Sequence, residues 1–199
     1  MSMILYLKRI SDADLERLKD APGGVRAFIK ADSEAPDRGP EYAAALAALK
    51  SQMAQAGMAP PPAPEVIFET YPFNDVFDVD KMWHGVYFLL TGTSYEGETP
   101  VNLLLHAPPV SGEDMGYGPA RGLSAAQTKA LSGHLDGLPT SIVVSRFDGA
   151  RMTALTIYPG IWDEDPAELK DELGGAFDRL QAYCRRCAGH DLGMLAWIS

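Results

Sequence analysis

The sequence predicts an α/β fold: a single three-layer domain in which a mixed central sheet, with strands from both chain ends, is flanked by helices. Three observations predict it. The two ends, "MILYLKRI" and "LGMLAWIS", have the short apolar composition of strands. Several segments between them repeat apolar residues every three or four positions behind capping signals, the mark of amphipathic helices. At 199 residues and 46% hydrophobic content, the chain suits one core and one domain over residues 1–199.

The elements follow in order. After the first strand, Ser11 caps a helix with Asp14 three residues later, and Gly23 and Gly24 close that unit. Tyr42, Leu46, Leu49 and Met53 share one face of a helix over about 41–56, stopped by Gly57. The prolines of "MAPPPAP" make residues 59–64 an exposed extended spacer within the domain, and 65–71 read as an edge segment limited by Pro72. Residues 79–91 form a helix with Asp78 as cap and Gly92 past its end.

The apolar run Val101 to Leu105 fits a strand or a short buried helix. Ser124 and Gln127 make a capping box for a helix over 124–136, ended by Gly137 and Pro139. Residues 140–157 mix β-branched residues with Thr140 as a cap, which favours a short helix and then extended chain past the Asp148-Gly149 turn. The final helix has Asp165 as cap, Pro166 in its first turn, Glu168 reaching back and Gly189 at its end. Leu169, Leu173, Ala176, Phe177, Leu180, Cys184 and Cys187 form its buried stripe, so the two cysteines read as core packing rather than a redox or zinc pair.

A net charge of -10 disfavours nucleic acid and anionic membrane as partners, because phosphate binding rests on clustered Lys and Arg. An acidic face suits a basic partner instead. Lys8 and Arg9 follow the first apolar run rather than preceding a longer one, and no apolar window approaches the length that spans a bilayer. The expectation is a soluble, cytoplasmic protein.

"DVDKMWHGVYFLLTG" carries the strongest functional hint. On a helix, Val79, Met82, Trp83, Val86, Leu89 and Leu90 face the core, while Asp80 and His84, four residues apart, meet on a neighbouring side as a candidate acid/base couple. Trp83 reads as a core anchor or pocket floor, and Tyr87 lies near the same edge. In "GYGPAR", flexible backbone presents Tyr117 and Arg121, which suit an anion. In "TIYPGIWDED", a rigid turn presents Tyr158 and Trp162 beside acids that serve the next helix start. The four histidines are scattered and no common hydrolase, phosphate-loop, cofactor or metal motif occurs, so neither metal nor cofactor is expected.

The stretches "DVDKMWHGVYFLLTGTS", "GYGPAR" and "IYPGIW", with the Met-Ile start and the long last helix, resemble the bacterial YfbM-like family, a domain of unknown function. The resemblance spans nearly the whole chain and is carried by Asp80, Lys81, Trp83, His84, Leu90, Thr91 and Gly92, with Tyr158 and Pro159. It implies a three-layer α/β domain and no particular activity, and it draws attention to the 78–92 segment, Tyr117, Arg121 and Tyr158. Two functional expectations follow. One is a module that binds a protein or small molecule, of inhibitory or immunity type, through Tyr117, Trp162 and acidic helix starts. The other is a small-substrate enzyme in which Asp80 orients His84 and Arg121 holds an anionic group.

Overall fold

The computed structural model describes residues 2–19, 21, 23–33, 71–73 and 75–199. The helix expected at 41–56, the spacer at 59–64 and the segment at 65–70 lie outside the described residues. Strand β1 (Leu5–Ile10) leads to α1 (Asp12–Lys19) and α2 (Gly24–Ser33); β2 (Phe77–Asp78), α3 (Trp83–Thr91) and α4 (Leu103–His106) follow. Strands β3 (Pro109–Asp114) and β4 (Pro119–Leu123) form a hairpin. Helices α5 (Ala125–Asp136), α6 (Thr140–Val144), α7 (Gly149–Ala154) and α8 (Pro166–Gly189) then return the chain to β5 (Gly193–Ile198).

The strand order is β2-β1-β5-β4-β3, so the two chain ends pair at the centre of the sheet. Six residue pairs join them, from Leu5 opposite Ile198 to Ile10 opposite Gly193. The α/β class holds, but every pairing among the described strands is antiparallel where a mixed sheet was expected. Register supplies the reason. Leu123, the last residue of β4, sits opposite Met194 near the start of β5, so the helices between them bring the chain back to the end of the sheet it left. A parallel neighbour needs a crossover to the opposite end.

Alternation along the strands builds the layers. Leu5 and Leu7 of β1, with Met194 and Ala196 of β5, join a large core with Trp83, Val86, Leu131, Phe177 and Leu180. Ile10, Leu195 and Trp197 point the other way and pack with Leu15, Leu18, Val25 and Phe28. The sheet therefore lies between α1 and α2 on one face and the remaining helices on the other. Each fully buried Leu or Phe contributes about 1.5 to 3 kcal/mol relative to exposure.

Local signals explain most boundaries. The Ser11 hydroxyl accepts the Asp14 N–H at 3.1 Å, and Ser124 with Gln127 forms the expected capping box. Asp165 accepts the Ala167 N–H at 2.8 Å, with Pro166 opening α8. Both cysteines lie buried on its core stripe as free thiols, and burial pushes their pKa values up, that of Cys187 to about 12. Asp148 caps α7 by accepting the Arg151 N–H at 3.0 Å, so helix replaces the extended chain expected there. The run before β3 forms the short helix α4 rather than a strand.

"GYGPAR" is the hairpin turn and the start of β4, which runs directly to the Ser124 cap of α5. Gly116 and Gly118 hold φ of 128° and 100°, which side chains disfavour, and Asp114 Oδ1 accepts both of their N–H groups at 2.9 and 3.1 Å. Those two bonds hold the exposed Asp114 carboxyl below its ordinary pKa.

The β4–β5 pairing leaves no room at Gly193, where an added Cβ would stand 2.3 Å from the Leu123 carbonyl oxygen. Gly193→Ala is expected to lower unfolding free energy by about 1 to 3 kcal/mol through overpacking. Urea denaturation measures it, and an unchanged midpoint contradicts the register described.

Candidate functional site

The chain enters α3 through sheet pairing, not through a cap. Val79 still belongs to the sheet edge, donating its N–H to the Leu5 carbonyl at 2.9 Å. Asp80 then takes φ of 56° and turns its carboxylate onto the Lys81 N–H at 2.6 Å. Regular helix begins at Trp83 with Met82 at the cap position and no side-chain cap, so Asp78 does not cap it. It ends as expected, with Gly92 at φ 74° donating to the Phe88 carbonyl at 2.7 Å.

All seven residues from Trp83 to Leu89 are buried. A helix enclosed on every side belongs to the interior. Gly85 permits this: a Cβ there would stand 2.5 Å from Trp162 Cη2 and 2.7 Å from Leu173 Cδ2.

His84 is fully buried, at 0% exposure. Its Nε2 lies 2.8 Å from the Ser94 carbonyl oxygen, and its Nδ1 lies 3.0 Å from the Tyr158 backbone nitrogen. A carbonyl can only accept and a peptide N–H can only donate, so Nε2 carries the proton and Nδ1 is bare. The ring is a neutral imidazole held in one tautomer, with Tyr95 packed at 4.8 Å between centroids and Trp83 stacked at 4.8 Å. Burial lowers its pKa below the ordinary value, and the bond to Ser94 opposes that shift in part.

This corrects the expected acid/base couple. Asp80 precedes the helix with left-handed backbone, so it does not share a face with His84, and both imidazole nitrogens are engaged by backbone groups instead of facing a rim. The other candidates separate into two sets. Trp83, Tyr87, Tyr158 and Trp162 gather around His84 and α3, each with its polar atom engaged. The Trp83 indole donates to the Met3 carbonyl at 3.0 Å, and that of Trp162 donates to the Ile157 carbonyl at 2.6 Å. The Tyr87 hydroxyl lies 3.1 Å from the carbonyls of Tyr95 and Glu96, and burial pushes its pKa up to about 12. The Tyr158 hydroxyl accepts the Met3 N–H at 3.1 Å and contacts the Ser2 hydroxyl at 3.2 Å.

Tyr117 and Arg121 stand apart on the β3–β4 hairpin. Tyr117 is 49% exposed, whereas Arg121 is half-buried and donates to the Ala107 carbonyl at 2.9 Å. Among the described residues no hydrogen bond or ring contact joins either to His84.

A cleft of about 130 Å³ opens elsewhere, lined by Lys81, Ile161, Glu164, Asp165, Glu168, Leu169 and Glu172. The acids of "DED" are expected from the sequence to serve the helix start and to offer partner contacts, but not to border a cleft with Glu168 and Glu172. The signal available was spacing: Glu168 and Glu172 lie four apart on one face of α8, with Glu164 four residues earlier. Among the described residues no cluster of His, Cys, Asp and Glu is arranged to hold a metal, and no helix is long and apolar enough to cross a membrane.

An antiparallel sheet centred on its two terminal strands, with helices on both faces and a sealed histidine in the larger layer, defines a three-layer α/β domain. The chain belongs to the family described as domain of unknown function DUF1877, whose model matches residues 1–197. It is similar in fold to the crystal structure of YfbM from Escherichia coli, a protein of unknown function, with a TM-score of 0.59 and 16% identity over 98% of this chain and 99% of that one. No curated protein matches it.

Two outcomes are expected. Gly85→Ala should lower stability by about 1 to 3 kcal/mol, because Trp162 and Leu173 must both move; a thermal midpoint equal to that of the wild type contradicts the packing. Because the native pKa of His84 is depressed, its contribution to stability is complete above the unfolded value of about 6.5 and is lost as pH falls below it toward the native pKa. The limiting slope is about 1.4 kcal/mol per pH unit. Urea midpoints over that range should fall more steeply for wild type than for His84→Gln, and parallel curves contradict the neutral ring.

Proposed function

We propose that this protein is a binding module whose acidic face at the start of α8 receives a basic segment of a partner protein, as an inhibitory or immunity-type partner does. One observation carries the reading: the cleft beside α8 is bordered by four carboxylates, Glu164, Asp165, Glu168 and Glu172, against one cation, Lys81. All five residues are exposed, so their field reaches solvent. The net charge of -10 adds long-range attraction for a basic partner, which raises the association rate more than the final affinity. Ile161, half-buried at the edge of the cleft, offers apolar surface for the stem of a Lys or Arg whose head meets the carboxylates.

The enzyme alternative loses its support at His84. A general base needs reach to a substrate proton, and this imidazole has both nitrogens occupied and no exposed surface. Trp162 is also withdrawn from the contact surface, since it is 2% exposed beneath α3. Tyr117 remains available on the hairpin. We infer further that the protein works in the cytoplasm, a reading supported by Cys184 and Cys187 packing as free thiols.

Zero-length carboxyl-to-amine cross-linking in a lysate of the native cell should capture a basic protein through residues 163–172. Capture should weaken with added salt. The triple variant Glu164→Lys, Glu168→Lys, Glu172→Lys should reduce it by about tenfold or more, since three exposed pairs at about 0.5 kcal/mol each approach 1.4 kcal/mol. No capture above background, or capture unchanged in the triple variant, overturns the reading.

A further inference from the structure

His84 ties together three segments distant in sequence: α3, the Ser94 loop and the turn at Tyr158. The chemistry of the partners fixes the direction of both bonds. An imidazolium has two N–H donors and no acceptor, so it can keep the Ser94 carbonyl but not the Tyr158 N–H. We propose that His84 is a proton-operated latch: protonation at Nδ1 breaks its bond to the Tyr158 backbone and frees residues 158–161 from α3.

The geometry decides which side opens. A charged donor strengthens the bond from Nε2 to Ser94, so the ring stays with the Ser94 loop. At Nδ1, two N–H groups would face each other across 3.0 Å, and the turn must withdraw. Ile157 and Trp162 bracket that turn, both buried, and the Trp162 indole bonds the Ile157 carbonyl at 2.6 Å. The base is thereby closed while Tyr158, Pro159, Gly160 and Ile161 between them are exposed or half-buried. Tyr158 also holds the N-terminal segment through the Met3 N–H, so the release reaches the residues just ahead of β1.

The titratable group packed on the ring is the phenol of Tyr95, from the loop after α3; the turn meets the ring through the Tyr158 backbone N–H, while the Tyr158 phenol is engaged with the Met3 N–H and the Ser2 hydroxyl. α8 presents Leu173 to the neighbouring Gly85. Asp80, ahead of α3, directs its carboxylate onto the Lys81 N–H. Among the described residues no ion pair reaches His84, so no carboxylate holds the protonated ring in place. The lowered pKa set by burial agrees with a latch that stays shut near neutrality and opens in acid. The latch rests on the geometry of the ring and not on the reading of the acidic face, although Ile161 belongs both to the freed turn and to the lining of the cleft.

Amide hydrogen exchange followed by NMR tests it on the full chain, with rates corrected for intrinsic pH dependence. Once His84 is the proton acceptor, protection of the Tyr158 amide should fall about tenfold per pH unit below pH 6.5, because the open population tracks proton concentration. Protection of the Val86 amide, inside α3, should hold over the same range. In His84→Gln, which cannot be protonated, Tyr158 protection should be flat. Flat Tyr158 protection in wild type overturns the latch, as does a loss shared equally by Val86, which marks general unfolding. Should the variant not fold, the Tyr158 and Val86 amides of the wild type decide the question alone.

Discussion

The direction of two hydrogen bonds at one buried imidazole governs how the larger helical layer is assembled. His84 gives a proton to the Ser94 carbonyl and takes one from the Tyr158 N–H, and neither role can be exchanged without leaving a buried polar group unpaired. Such a group costs about 1 to 3 kcal/mol. The constraint holds α3 between a loop that follows it closely and a turn more than seventy residues away. Around that junction Trp83 reaches the Met3 carbonyl, Tyr158 reaches the Met3 N–H, and Trp162 lies on Gly85. Polar satisfaction and close packing therefore describe the same set of residues.

The sheet supplies the frame for this cross-link. Because β1 and β5 pair at its centre, the residues just ahead of β1 are fixed beside the turn that leads into α8. The long helix spans the layer from its exposed acidic start to the buried cysteines near its end. One element thus contributes core packing and a charged surface, and Ile161 links the cleft at the charged end to the turn that bonds His84.

Much of the framework was legible in the sequence because its signals are local. Ser11, Ser124 and Asp165 mark helix starts through side chains that accept nearby N–H groups, and the apolar ends of the chain mark strands. The hairpin strands were not legible, since "PVSGED" and "PARGL" carry proline and glycine and few β-branched residues. Their pairing is set by Asp114 capping the turn and by contact with β5. The role of His84 was hidden for a related reason. Spacing put it near Asp80 on a helix, but sheet pairing at Val79 and the left-handed Asp80 delay the helix, and both partners of the ring are backbone groups that leave no mark in side-chain patterns. Trp83 as a core anchor and the buried cysteines were readable because apolar periodicity reports burial directly.

The measurement that bears most directly on this account is a long-range proton–nitrogen NMR spectrum of the histidine side chains near neutral pH, with His84 assigned by its proximity to the Tyr95 ring. The account predicts a neutral imidazole with its proton on Nε2 and an unprotonated Nδ1. A proton on Nδ1, in either the other neutral tautomer or the imidazolium, would contradict it.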